Sequence, residues 1–241
     1  MTSLPAEAFE ELLNDFEDLL LSGVRRPRAV PQAPPSPPLP GEFPAAETLA
    51  ALAEAIEGCR LCPLGSGRTR AVPGEGVSRP LVLAVGEGPG QEEDLSGRPF
   101  VGPAGQYLDK WLSSVGLSRK TNCYIANTVK CRPPGNRDPV PEETQACLPY
   151  LNRQLDLLKP RFILALGRVS GQLLSGENVS LSRLRGRLLS YRGFPLLVTY
   201  HPSGVLRNPD EYRPLVWEDL KRLRDLLRSA PEAGKTGEGG E

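Results

Sequence analysis

Four cysteines and one histidine carry the strongest chemistry in this chain. Cys59 and Cys62 form a C-x2-C pair in CRLC, and Cys131 and Cys147 add a second, wider pair. Four thiolates drawn from two local pairs can hold zinc or an iron-sulfur cluster, and spacing alone leaves both open. Cys123 differs, because it sits inside the apolar run CYIANTV and reads as a small buried side chain. His201 is the only histidine in 241 residues, and it stands in TYHPSGVLRNP between an apolar run and a proline that commits the chain to a turn. A lone histidine more often serves packing; one that closes a strand at the ligand-binding edge of a sheet is a candidate for chemistry.

The elements that must position these residues follow from periodicity. The runs LVLAV (81–85), CYIANTV (123–129), FILAL (162–166) and FPLLVTY (194–200) are short, rich in β-formers and bounded by Gly, Pro or charge. Such runs read as strands buried on both faces of a parallel sheet. Helices are expected over 104–115, 142–158, 168–175 and 212–228. Strand and helix alternate, which predicts a doubly wound, three-layer α/β/α fold with a central, mainly parallel four-stranded sheet. In that architecture ligands bind at the carboxyl ends of the strands.

Three segments that follow strands carry candidate site residues. GEGPGQEEDLSGRPFVGPAG (86–105) follows the first; its Gly86, Gly88 and Gly90 resemble a dinucleotide loop, but the third glycine of G-x-G-x-x-G would fall at Gln91. The glycines instead permit close approach of backbone N–H groups to a ligand. Phe100, in the same loop, can stack on a planar ligand or fill core. Asn127 closes the second strand ahead of TVKCRPPGNRDP, and its amide offers one donor and one acceptor face to a nucleobase edge, or to a turn. His201 follows the last strand.

Charge separates the chain into regions. Residues 1–55 carry 3 basic and 9 acidic side chains, residues 56–228 carry 25 and 17, and residues 229–241 carry 1 and 3, so a formal total of zero contains a body of net +8. A basic body suits a polyanionic partner. The chain is expected to divide into an acidic amphipathic helix (1–22), a Pro-rich linker (23–47), a folded domain (48–228) and a disordered tail (229–241). The first helix either packs on its own domain or docks a partner protein. No apolar run approaches the ~20 residues that span a bilayer and no signal-peptide pattern opens the chain, so a cytoplasmic protein without a membrane partner is expected.

Taken together, CRLC, GEGPGQEED…GRPFVGPAG, NTVKCRPPGNRDP, LKPRFILALG and YHPSGVLRNP resemble the family 4, iron-sulfur type of uracil-DNA glycosylase of bacteria and archaea, over roughly residues 49–228. The resemblance implies that Cys59, Cys62, Cys131 and Cys147 hold a [4Fe-4S] cluster. It places Glu87 and Glu93 on the acids of the first motif, Phe100 on the aromatic that stacks on flipped uracil, Asn127 on the amide that reads it, and His201 on the histidine of the last motif. Superfamily relatives with a water-activating Asp or Asn have it where this chain has Gly88. The expected activity is release of uracil from single- and double-stranded DNA by a monomer associated with the nucleoid. His201, helped by backbone N–H groups near Gly86 and Gly88, would stabilise the departing base, and Glu93 would exclude the thymine methyl group. Arg132, Arg137, Ser203, Leu206 and Arg207 are expected to contact DNA, with the residues after His201 wedging into the gap that the flipped base leaves. A covalent uracil-binding relative uses an extra histidine in an Arg-rich loop, and SLSRLRGRLLSYRG here has none. A non-enzymatic iron-sulfur module that binds nucleic acid is the alternative of a different class.

Overall fold

A computed structural model describes residues 46–229. The expected helix over 1–22, almost all of the linker and the tail beyond Ser229 lie outside the described residues. Four apolar runs form the centre of one sheet: β2 (Val82–Gly86), β3 (Cys123–Asn127), β4 (Phe162–Leu166) and β6 (Phe194–Thr199) are mutually parallel in the order β3-β2-β4-β6. Two strands not expected from the sequence extend it to six. β1 (Glu75–Gly76) pairs antiparallel with β3, and β5 (Leu189–Tyr191) pairs antiparallel with β6. At two and three residues, neither is long enough to show an alternating pattern.

Every residue of β2, β3 and β4 is buried, because helices cover both faces of the sheet. Side-chain alternation assigns Val82, Ala84, Cys123, Ile125 and Leu164 to one face, against α4 (Pro103–Ser114) and α9 (Pro209–Ser229). Leu83, Val85, Ala126, Ile163 and Val198 face the other way, against α5 (Pro141–Leu158), α6 (Arg168–Ser175) and α7 (Leu181–Leu184). A third, smaller core lies where α1 (Leu49–Gly58) and α2 (Leu64–Gly67) meet α5, and it contains Leu52, Ile56, Val129, Tyr150, Cys131 and Cys147.

The strand register brings the chemistry together. Gly86 pairs with Asn127, and Leu166 pairs with Thr199, so the carboxyl ends of all four parallel strands lie along one edge. The chain leaves β2 toward β3 on one side and returns to β4 on the other, which opens a crevice at that edge. Two short helices border it: α3 (Gln91–Ser96) follows β2, and α8 (Pro202–Arg207) follows β6 directly. Asp219 of α9 fastens the end of β6. Its buried carboxylate accepts from Thr199 Oγ1 at 2.7 Å and from Arg185 Nη2 at 3.1 Å, two residues before His201. No helix among the described residues is long and apolar enough to cross a membrane.

Candidate active site

The crevice is a cleft of about 1090 Å3, counting its open mouth, and Glu87, Gly88, Glu93, Phe100, Asn127, Arg137, His201, Ser203 and Arg207 all line it. Gly86 lies beneath them: a Cβ there would stand 2.5 Å from both Asn127 Oδ1 and Phe100 Cζ. Only glycine lets those two side chains meet over the end of β2. Of the remaining expected DNA contacts, Leu206 is exposed on α8, and Arg132 lines a neighbouring groove. Arg132 uses Nε to reach Asn136 Oδ1, whereas the fork of Arg137 is closed on the buried Glu143 at 2.8 and 2.6 Å.

Phe100 is held in a conformation that a bulky side chain rarely adopts. Its φ is +52°, a strain of about 1–3 kcal/mol that surrounding structure must offset. Glu93 is part of that structure. It occupies the third position of α3 and reaches back to the Gly90 N–H at 3.1 Å, as a capping acid does. Its other oxygen accepts from the N–H groups of Val101 and Gly102 at 2.9 and 3.0 Å, which ties the Phe100 loop to the first motif. Gly105 admits the loop from behind, since a Cβ there would lie 2.0 Å from the Phe100 carbonyl. The carboxylate of Glu93 is thus immobilised, a wall of the cleft that cannot swing aside.

Asn127 is 1% exposed, and its Oδ1 is the one buried side-chain N or O atom among the described residues that lacks a hydrogen-bond partner. An unpaired buried carbonyl costs about 1–3 kcal/mol, and an N–H donor placed in the cleft would relieve that cost. Behind it, the buried Lys130 donates from Nζ to the Asn127 backbone carbonyl at 2.8 Å and to Gln154 Oε1 at 2.6 Å. Asn127 Oδ1 is therefore unsatisfied on a residue whose backbone is held from behind.

His201 caps α8. Its Nδ1 accepts from the Ser203 N–H at 3.2 Å and lies 2.7 Å from Ser203 Oγ. A backbone amide can only donate, so Nδ1 carries no proton and the neutral ring holds its proton on Nε2. Burial, and secondarily the charge of Arg207, push the imidazole down to about 4, against a weaker upward pull from Glu93. At neutral pH the cleft thus contains an uncharged ring with an Nε2–H donor. Its ring centroid is 5.6 Å from that of Phe100, tilted by 35°. Gly167 makes room for it: a Cβ there would lie 2.9 Å from His201 Cβ.

The four expected cysteine ligands come from three separate segments, yet all line one small pocket in the third core, with Arg68, Lys130 and Tyr150. No three His, Cys, Asp or Glu side chains among the described residues converge on a single point suited to one metal ion. N–H groups are aimed at the sulfurs: Arg68 Nη1 reaches Cys131 Sγ at 2.8 Å, the Lys130 amide reaches Cys147 Sγ at 3.3 Å, and the Leu61 amide reaches Cys59 Sγ at 3.5 Å. Burial raises the Cys131 thiol and pushes Cys147 up to about 12, so thiolates here require a positive centre among them. The donor set fits a multinuclear metal group. Cys123 stands apart, fully buried within β3.

Asp138, which the sequence did not single out, also lines the cleft, and Arg168 is ion-paired to it. Glu87 is pushed up to about 7, first by burial and then by the Asp138 carboxyl that it hydrogen-bonds; Arg168, ion-paired to Asp138, opposes this. The native state holds the Glu87 proton more tightly than the unfolded chain does. Folding therefore takes up a proton between about pH 4.5 and 7, and stability falls as pH rises through that window. Glu87→Gln removes the penalty: its Tm should exceed that of the parent by a few degrees at about pH 8, with the gain disappearing near pH 4. Scanning calorimetry at the two pH values checks this.

The geometry agrees with comparisons to known proteins. The family model described as "Uracil DNA glycosylase superfamily" matches residues 73–221, a span that contains the whole sheet. The type-4 uracil-DNA glycosylase of Sulfurisphaera tokodaii is 41% identical over 188 residues, 75% of this chain and 85% of that protein. The type-4 enzyme of Thermotoga maritima is 40% identical over 76% of this chain and 96% of its own length. That of Pyrobaculum aerophilum is 47% identical over 66% and 84%. The chain belongs to the type-4 uracil-DNA glycosylases of the uracil-DNA glycosylase superfamily.

Proposed function

We infer that this chain repairs DNA by hydrolysing the N-glycosidic bond of deoxyuridine, releasing free uracil and leaving an abasic site. The observation that carries the reading is the unpaired, buried Oδ1 of Asn127, set beside Phe100 and the Nε2–H of His201 in one cleft. Uracil offers an N–H at N3 flanked by two carbonyls, so Asn127 Oδ1 accepts from N3–H while its amide nitrogen serves the 4-carbonyl. Cytosine presents an acceptor at N3 and would leave the buried carbonyl facing a lone pair.

Extrusion of the base costs a few kcal/mol, which stacking on Phe100 partly offsets. The immobilised Glu93 is assigned to excluding the 5-methyl group of thymine. As the bond breaks, negative charge moves onto the departing uracil and positive charge onto the sugar. His201 donates from Nε2 to the 2-carbonyl, and loss of such a donor typically costs ~3 kcal/mol in the barrier. The neutral ring does not have to give up its proton. Amides near Gly86 and Gly88 add to the stabilisation. With glycine at position 88 no acid activates water there, so anion stabilisation carries more of the catalysis; Glu87, beside the cleft, orients the water.

On the DNA side, Leu206 at 44% exposure is the wedge, with Ser203 and Arg207 of α8 and with Arg132 on the phosphates. Arg137 contributes less, because Glu143 holds its fork. A flipped base asks nothing of the opposite strand, so single- and double-stranded DNA both serve. One chain supplies every cleft residue, so a monomer suffices, working at the nucleoid. The helix expected over residues 1–22 keeps its two readings, packing on its own domain or docking a partner protein. Cys59, Cys62, Cys131 and Cys147 are the ligands of a [4Fe-4S] cluster. When bound, it supplies iron-thiolate bonds that tie the α1–α2 turn to the segment after β3 and to α5; hydrolysis is redox-neutral and asks no electron of it.

Two measurements test these assignments. Purified protein should release uracil from both kinds of substrate without added divalent metal, and His201→Ala should lower the single-turnover rate about 10²–10³-fold while retaining its fold. Failure of the parent protein on both substrates removes the assignment. Iron and acid-labile sulfide should each approach about four per chain, falling sharply in Cys147→Ser; zinc in their place overturns the cluster.

A further inference from the structure

We propose that Arg119 is a positioning residue that holds Phe100 in its working conformation from behind the cleft. Arg119 lies in the turn between α4 and β3, where the Ser118 carbonyl accepts from three successive amides, of Thr121, Asn122 and Cys123, at 2.9–3.1 Å. Its side chain is 8% exposed and does not line the cleft. It reaches 20 residues back along the chain: Nη1 donates to the Pro99 carbonyl and Nη2 to the Phe100 carbonyl, both at 2.8 Å. Nε donates to Asp109 Oδ1 of α4 at 2.9 Å, and Glu75 of β1 lies 3.8 Å from Nη1.

Two ions of opposite sign therefore grip one strained loop. Arg119 takes the carbonyls of residues 99 and 100, while Glu93 takes the amides of residues 101 and 102. Phe100, with φ +52°, is the residue between the two grips. Relaxing it to an ordinary φ would turn its carbonyl away from the guanidinium and its ring away from Asn127 and His201. The planar fork of arginine suits two neighbouring carbonyls, whereas an ammonium on a flexible stem provides no fork. The surrounding pairs fix the guanidinium itself, with Asp109 on one helix and Glu75 on the edge strand.

The assignment rests on the reading of Phe100 as the stacking surface, so the test separates the two. Single-turnover excision from a uracil-containing single strand is measured for the parent, Arg119→Met, Arg119→Lys, Phe100→Ala and Arg119→Met/Phe100→Ala. Arg119→Met should slow excision about tenfold, and the double variant should match Phe100→Ala within about twofold, because the clamp then has no ring to position. Parental activity in Arg119→Met, or multiplication of the two losses in the double variant, overturns the Arg119 assignment alone. Parental activity in Phe100→Ala removes the stacking reading and this assignment with it. A binding readout stands beside the rates: affinity for an oligonucleotide carrying uncleavable 2′-fluoro-2′-deoxyuridine, relative to the same strand with thymidine. Arg119→Met should lower that ratio and leave the thymidine affinity unchanged; an equal loss on both strands shows a merely structural role and overturns the proposal. Arg119→Lys keeps the charge and loses the fork, so together with Arg119→Lys/Phe100→Ala it should show the same non-additivity, and this pair replaces the Met variants should those not fold.

Discussion

One hydrogen bond, from the Ser203 amide to His201 Nδ1, decides what the imidazole can do. It fixes the tautomer, points the remaining proton to Nε2, and makes His201 the cap of α8. Burial keeps the ring uncharged, so the donor is present at neutral pH without competition from ionisation. Much of the fold is arranged around that bond. β6 must end at Thr199 for the ring to reach the cleft, Asp219 fastens that end, and Gly167 leaves the space that the ring occupies. The helix that the imidazole caps also carries the exposed Leu206, so the groups proposed for leaving-group stabilisation and for base extrusion share one short helix.

Elsewhere the site is prepared by unfavourable local states held in place by long-range partners. Phe100 has a positive φ and Asn127 Oδ1 is buried without a partner. Neither would persist in isolation. Glu93 and Arg119 hold the first, and Lys130 with Gln154 supports the second. In the proposed reading such a cleft would meet a planar base with little reorganisation, which is how preorganised dipoles lower a barrier. Lys130 also links the two centres of the molecule: its side chain supports Asn127, and its backbone amide is aimed at Cys147.

Much of this was legible in the sequence, and the reason is local. The four central strands are buried on both faces and so read as unbroken apolar runs, with ends within two residues of those observed. The residues proposed for the cleft sit at strand ends or in the segments that follow them, where a doubly wound sheet puts its ligands. Features that depend on distant partners left no such trace. β1 and β5 are strands only because β3 and β6 lie beside them. α8 hides inside what reads as a proline turn, since its cap is a histidine rather than a Ser, Thr, Asp or Asn. Asp138, Arg168 and Arg119 act across 20 or more residues, and an arginine in GLSRKTN looks like any surface charge until its carbonyl partners are known.

In the proposed reaction a neutral imidazole with its proton on Nε2 faces the departing base. Because His201 is the only histidine in the chain, 15N NMR of imidazole-labelled protein reports on it without assignment. The spectrum should show an Nδ1 resonance of the unprotonated kind and a protonated Nε2, both unchanged from about pH 8 down to about pH 5.5. A ring that titrates near its ordinary value of 6.5, or one that carries its neutral proton on Nδ1, would contradict it.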